Sequence, residues 1–234
     1  MDTAGFRRRG LTIAGGLMLG GFLLNVILTA ALHPSGEEDD HPAIFTEYAE
    51  SSSWVAVHLG QFIGVLMTLS GLLVLYRVLR GVGGSILVAQ LGAAAAVATA
   101  AIWAALQGLD GVGLKQAVDS WVSASGREKE IRFANAETVR WLEWGFQSYF
   151  RVMLGLTLAL FGAAILVSRR IPGWLGWTAL VAGVCSLIFG VDVGYSGLAS
   201  GLQDVLGIAT FILVLVFAVG VLAAGVREHG RNRS

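Results

Sequence analysis

Hydrophobic residues in this chain come in long uninterrupted blocks rather than in the amphipathic periods of a soluble protein. Six blocks reach the roughly 20 residues that an α-helix needs to cross a bilayer. No strand-like alternation competes with them, and a backbone surrounded by lipid must satisfy its own hydrogen bonds, which leaves the helix as the fitting state. The pattern predicts an all-α protein, a six-transmembrane helix bundle with spans at residues 11–32, 54–77, 85–107, 145–168, 171–192 and 205–226.

Two polar connections, residues 33–53 and 111–139, are expected to contain short outer amphipathic helices. In the first, Pro42 favours a helix start, and the apolar residues after it share one side of a segment that lies on the membrane surface or caps the bundle. In the second, helical spacing of apolar residues predicts an interfacial helix over 112–124. The apolar residues that carry these two predictions are Ile44, Phe45, Tyr48, Leu114, Val118 and Trp121.

Composition and charge add a membrane orientation to this picture. Hydrophobic residues make up 55% of the chain and charged residues only 14%, far from the balance of a soluble domain. Ten basic residues and two acids fall on the side of the termini, a net charge of +8, whereas six basic residues and fourteen acids fall on the other side, a net charge of −8. Because lysine and arginine concentrate in cytoplasmic loops, both termini are predicted to be cytoplasmic.

The predicted domain organisation is a basic cytoplasmic tail at residues 1–10, a membrane domain at 11–226 and a cytoplasmic tail at 227–234. The first apolar block is too long for the apolar region of a signal peptide, so an uncleaved first span is expected.

Polar side chains within the spans gather in the outer halves. Arg140, Glu143, Gln147 and Arg151 recur at i, i+3, i+7 and i+11 and form one stripe that runs into the fourth span. An arginine inside a membrane is costly, so we expect Arg151 to pair with a carboxylate from a neighbouring helix. Asp110 and Asp192 are the candidates for that partner. The candidate ligand-binding residues are Arg151, Gln147, Glu143, Asp110, Asp192, His58, Gln61 and Gln107.

These residues favour an outward-facing polar pocket that binds a small molecule, a lipidic ligand or a proton. One alternative is an intramembrane enzyme that uses outer-leaflet carboxylates and His58 as acid and base. Another is a membrane subunit that docks a protein partner through the outer helices. A purely structural interpretation, in which polar side chains at the solvated helix ends pair with one another, accounts for the same residues equally well.

Several chemistries are excluded by the residues that the spans lack. No lysine lies in a span, which excludes a retinal Schiff base, and His58 alone cannot build bis-histidine haem sites. Cys185 is the only cysteine, which excludes a disulfide framework and thiolate metal sites. No metal and no cofactor are therefore expected. The basic residues are ordinary cytoplasmic flanks of spans, so membrane lipids rather than nucleic acid are the expected partners.

Four segments, HPAIFTEYAESSSWVAVHLGQF, LDGVGLKQAVDSW, ETVRWLEWGFQSYFR and IPGWLGW, resemble segments of a group of uncharacterised bacterial multipass membrane proteins. The resemblance covers most of the chain. It implies a protein of the bacterial plasma (inner) membrane and carries no activity with it.

Overall fold

A computed structural model describes residues 3–34, 36, 38–80, 85–198 and 200–231. In this part of the chain every regular element is helical, so the prediction of an all-α protein is confirmed. Residues 1–2 and 232–234 of the two predicted tails lie outside the described residues. The elements are α1 (Thr3–Leu32), α2 (His41–Glu50), α3 (Trp54–Leu79), α4 (Ser85–Gly108), a π-helical turn (Leu109–Leu114), α5 (Lys115–Val122), α6 (Gly126–Ser168), α7 (Gly173–Ser196) and α8 (Gly201–Arg231).

Six of these helices are long and apolar enough to cross a membrane, as the sequence predicts: α1, α3, α4 with its continuation, α6, α7 and α8. Helix α1 begins at Thr3, so it takes up most of the predicted N-terminal tail. Helix α6 has 43 residues and is therefore about 65 Å long at the helical rise. That is about twice the thickness of a bilayer core, so a large part of α6 projects beyond the membrane.

The six long helices form a ring in which each packs against two neighbours, in the order α1, α3, α4, α6, α7, α8 and back to α1. Small residues bring the helix backbones together. A Cβ added to Gly155 of α6 would stand 2.6 Å from the carbonyl oxygen of Gly183 on α7. The same close approach joins α1 to α3, where a Cβ on Gly64 would stand 2.7 Å from the carbonyl oxygen of Gly21. Such contacts replace side-chain interdigitation in membrane helix packing.

The two ends of the ring differ in charge. The start of α1 and the end of α8 lie side by side, since Gly225 approaches the backbone of Thr12, and Arg170 donates to the carbonyl oxygen of Val78 near the same end. We call this the basic end. The opposite, acidic end carries α2, the π-helical turn, α5 and the first half of α6.

A small apolar core covers the acidic end. Asp40 caps α2 by accepting a hydrogen bond of 3.2 Å from the backbone of Ala43, with Pro42 in the first turn, as the sequence predicts. The apolar face of α5 packs against α2 and α6 in this core. The sequence predicts that this face lies on a membrane surface, and the structure differs from that prediction. The members of this core are Ile44, Phe45, Tyr48, Trp54, Leu114, Val118 and Ala136.

Candidate functional site

A buried arginine at the acidic end is held between two carboxylates. Arg140, on α6, is 3% exposed, and its Nη1 donates a hydrogen bond of 2.9 Å to Glu143 one turn further along. Its Nη2 donates to Oε2 of Glu38, from the loop before α2. The guanidinium lies 5.7 Å from the ring centroid of Tyr48 and 5.5 Å from that of Trp144. The protein itself therefore compensates this charge.

Tyr48 links the same carboxylate to the apolar core. Its hydroxyl donates to Oε2 of Glu38 at 3.0 Å, and its ring centroid lies 4.1 Å from that of Trp54. Burial raises the pKa of Tyr48 well above its usual range, because a phenolate would be poorly solvated there. The hydroxyl therefore stays protonated and remains a donor to Glu38.

His58 and Asp110 form a second buried pair. His58 Nδ1 lies 2.8 Å from the carbonyl oxygen of Trp54, and Nε2 lies 3.0 Å from Oδ2 of Asp110. A carbonyl oxygen only accepts, so Nδ1 carries a hydrogen, and the contact at Nε2 then holds a single proton. The pair is either an imidazolium with a carboxylate or a neutral imidazole with a carboxylic acid. Either form keeps one exchangeable proton between two side chains.

The π-helical turn sets the geometry of this pair. Trp54 Nε1 donates to the carbonyl oxygen of Asp110 at 3.1 Å and so anchors the turn to α3. A Cβ added to Gly111 would stand 2.5 Å from Cβ of His58, so the turn reaches α3 only because this residue is glycine. π-Helical segments are rare and often mark functional sites. We call the two groups of side chains at this end the acidic-end network: Glu38, Tyr48, Arg140 and Glu143 form one group, and His58 and Asp110 form the other.

A separate cavity of about 340 Å³ lies within the helix ring, two turns of α6 beyond Glu143. Residues of α1, α3, α4, α6 and α8 line it, and leucine, valine, phenylalanine and methionine supply most of its wall. Its polar lining consists of Asn25, Thr68, Trp103, Arg151 and Thr210.

Three of these polar side chains bury a donor that has no partner within the described residues. They are Trp103 through Nε1, Arg151 through Nε and Thr210 through its hydroxyl. The guanidinium of Arg151 lies over the ring of Phe189, 4.5 Å from its centroid. A buried polar group left unpaired costs about 1–3 kcal/mol. The cavity therefore concentrates unsatisfied donors in an apolar setting.

The prediction that Arg151 pairs with a carboxylate is wrong, since no carboxylate of the described chain forms an ion pair with it. The π-helical turn directs Asp110 to His58 instead. Asp192 lies in the last turns of α7, where it accepts a hydrogen bond of 2.8 Å from Gln203 of α8. Glu143 is held by Arg140. Both predicted partners, Asp110 and Asp192, are thus engaged elsewhere, and so is Glu143.

The remaining sequence-predicted residues lie between these two sites. Gln61 ties α3 to α1, because its Nε2 donates to the hydroxyl of Thr29 at 2.9 Å. Gln107 is buried, and its Oε1 has no hydrogen-bond partner among the described residues, whereas Gln147 is half-buried. The ring contact of Trp103 with Phe150, 4.4 Å between centroids, sets the register of antiparallel α4 and α6. That register puts Gln107 and Gln147 at the same level.

Sequence reasoning missed Glu38, Trp103 and Thr210 as site residues. Thr210 did leave a signal, because it is the only polar side chain between residues 205 and 226. Glu38 left none beyond its place in an acidic loop. Among the described histidine, cysteine, aspartate and glutamate side chains, no three converge as a metal ion requires.

Comparison of the chain with protein families, with curated proteins and with solved structures found no match. The resemblance to bacterial multipass proteins therefore stays a prediction, and a function has to be argued from the two sites.

Proposed function

We propose that this protein is an integral membrane protein whose cavity binds a small ligand with an anionic group and an apolar body. The observation that supports this is the presence of three donors without a partner among the described residues, on Trp103, Arg151 and Thr210, in one apolar cavity of about 340 Å³. Cavities of this size are in the range that accommodates small ligands. A ligand that accepts hydrogen bonds from these donors removes the cost of leaving them unpaired.

The donors also define the chemistry of the ligand. Guanidinium and indole groups only donate hydrogen bonds, and the threonine hydroxyl is free to donate as well. The guanidinium adds a full positive charge and favours planar or tetrahedral oxyanions such as a carboxylate or a phosphate. The apolar side chains around them favour a hydrocarbon body on the same ligand.

The excess of basic residues at the end that holds the termini supports a plasma (inner) membrane orientation with cytoplasmic termini. In that orientation the acidic-end network faces outward and the cavity lies beneath it. We expect a cysteine that replaces Ser125 to react with an impermeant maleimide in intact cells, and one that replaces Ser234 to react only after lysis. A Cys185→Ser background removes the native thiol. Labelling of position 234 in intact cells would reverse the orientation.

Ligand binding is tested with a charged probe and a matched neutral probe. Purified protein in phosphatidylcholine nanodiscs is heated with dodecanoate or with dodecanol, and the midpoint of unfolding is measured. We expect dodecanoate to raise the midpoint, because binding to the folded state stabilises it, and dodecanol to have a much smaller effect.

Substitution separates binding at the cavity from a general effect of the probe. Arg151→Met should abolish the dodecanoate effect, and Arg132→Met, an exposed control on the same helix, should retain it. Equal effects of both probes, or an Arg151→Met protein that responds like the wild type, would contradict the proposal.

An intramembrane enzyme is the second candidate, and the single proton between His58 and Asp110 is the observation that favours it. Such a pair suits proton transfer to a substrate. Neither residue lines the cavity, however, so a substrate bound there would not touch the pair. The cavity therefore favours binding over this alternative.

A further inference from the structure

Phe211 of α8 is the one exposed side chain among the described residues that line the cavity. It is 40% exposed, whereas the other lining residues are buried or half-buried. Phe22 of α1, which packs against Phe211, is half-buried. The most exposed part of the cavity lining therefore lies at the seam between α1 and α8.

This seam is closed in two different ways along its length. Towards the basic end, a Cβ added to Gly15 would stand 2.4 Å from the backbone nitrogen of Leu222, so the two backbones touch there. At the level of the cavity, the rings of Phe22 and Phe211 fill the space between the helices, with centroids 4.7 Å apart. Gly207, one turn from Phe211, meets only Phe189 of α7 and nothing on α1. Two side chains, rather than two backbones, thus close the seam at this level.

The outer surface of this seam is apolar. Four side chains flanking the two phenylalanines are between 42% and 62% exposed, and all are leucine or isoleucine. Exposed aliphatic side chains of this kind on a membrane helix face acyl chains. The outer surface beside the aromatic pair is therefore suited to contact with lipid tails. The four are Leu23, Ile27, Ile208 and Ile212.

The interior behind the pair matches one acyl chain with its head group. Thr210 is adjacent to Phe211 in the chain, so the donors begin immediately inside the seam. Beyond them the cavity continues among Leu72, Phe217 and other apolar side chains. An engineered cavity of about 150 Å³ holds one benzene molecule. The present volume is about twice that, enough for one chain of moderate length and too little for the two chains of a phospholipid.

From these observations we infer that the ligand is a single-chain anionic amphiphile, which enters from the membrane between α1 and α8 when the rings of Phe22 and Phe211 move apart. This rests on the proposed function, because the donors of the cavity select the anionic group. Side-chain rotation is fast compared with helix movement, so the seam opens without rearrangement of the ring.

The test locks the seam and follows a membrane-resident probe. Phe22→Cys with Phe211→Cys, in a Cys185→Ser background, is crosslinked with a short reducible bis-methanethiosulfonate. The protein is then placed in phosphatidylcholine nanodiscs that contain a diazirine fatty acid. After illumination, mass spectrometry measures labelling of peptides from α6 and α8 that line the cavity. We expect the crosslink to reduce cavity labelling at least fivefold and reduction of the crosslink to restore it.

Each single-cysteine variant treated with the same reagent is the control, and both should be labelled like the uncrosslinked protein. Cavity labelling that is unchanged by the crosslink would show that the ligand enters elsewhere, which overturns the lateral route and leaves anion binding intact. Stabilisation by butyrate, a short water-soluble carboxylate, without any by dodecanoate would overturn the single-chain amphiphile in the same way. Absence of cavity labelling in every protein, with no stabilisation by either carboxylate, would reject the proposed function itself.

Discussion

Two arginines on one helix, Arg140 and Arg151, have opposite surroundings. Arg140 is buried, and Arg151 is half-buried with its Nε atom withdrawn from solvent. Arg140 contacts two carboxylates and two aromatic faces, all supplied by the protein. Arg151 contacts the face of Phe189 and no carboxylate of the described chain. The first arrangement is complete without any other molecule, whereas the second leaves a charge for which the described residues supply no counter-ion. A buried charge with its partner belongs to the architecture, and a buried charge without one favours a ligand.

The same contrast extends to the neighbours of each arginine. In the acidic-end network His58 shares a hydrogen bond with Asp110, and Tyr48 donates one to Glu38. In the cavity the indole of Trp103 and the hydroxyl of Thr210 find nothing among the described residues. The network thus connects α2 and the π-helical turn to the long helices α3 and α6, and the cavity remains open to a ligand.

The largest effect is expected from removal of Arg140. Arg140→Leu leaves the buried Glu143 and the half-buried Glu38 without their counter-charge, which should cost about 3–5 kcal/mol of the free energy of unfolding. Denaturant unfolding of the purified protein in detergent measures this loss. Arg132→Leu removes an exposed pair with Glu128 on the same helix and should change stability by about 0–1 kcal/mol. Equal losses for both variants would show that the network is not a structural unit.

The contact between His58 and Asp110 should give a measurable coupling energy in the free energy of unfolding. His58→Leu, Asp110→Leu and the double variant form a double-mutant cycle. A hydrogen bond is worth about 0.5–1.5 kcal/mol when both groups are neutral and about 1.5–3 kcal/mol when one is charged. We expect the sum of the two single losses to exceed the loss of the double variant by an amount in one of these ranges, since the second substitution removes a group already deprived of its partner. Additive losses would mean that the 3.0 Å contact contributes nothing to stability.

The π-helical turn offers a smaller and more local test. Gly111→Ala places a methyl group 2.5 Å from Cβ of His58, and overpacking of this kind costs about 1–3 kcal/mol. Gly113→Ala, in the same turn, meets nothing closer than 3.8 Å and should be neutral or slightly stabilising. Thermal unfolding of both variants measures the difference. A Gly113→Ala loss as large as that of Gly111→Ala would locate the cost in the turn rather than at His58.

The spans were predictable from sequence because composition and bilayer thickness decide them. The predicted spans 54–77 and 85–107 correspond to Trp54–Leu79 and Ser85–Gly108. The preference of proline for the first turn of a helix also predicted the start of α2. Helical spacing also placed Glu143 and Arg140 on one stripe.

The partners of those residues were not predictable, because they depend on contacts between distant segments. Glu38 reaches Arg140 across about a hundred residues of chain, and a π-helical turn re-aims Asp110 away from Arg151. Neither feature has a periodic signature. A single hydroxyl such as Thr210 becomes informative only when the fold brings it next to Trp103 and Arg151.

The smallest expected effect is also the one that decides between the two arginines. If Arg151 were structural, Arg151→Met would destabilise the protein as Arg140→Leu does. Because Arg151 has no carboxylate partner in the described chain, Arg151→Met should instead leave the ligand-free protein unchanged or raise its free energy of unfolding by about 1 kcal/mol, through removal of an unsatisfied buried group. Methionine is unbranched and flexible and keeps much of the length of the arginine side chain, so the cavity wall is retained. Protein stripped of co-purifying ligand by extended detergent exchange is required for this measurement, because a bound anion would make Arg151 appear stabilising. A loss of several kcal/mol in the stripped protein would make Arg151 a structural residue and remove the distinction between the two sites.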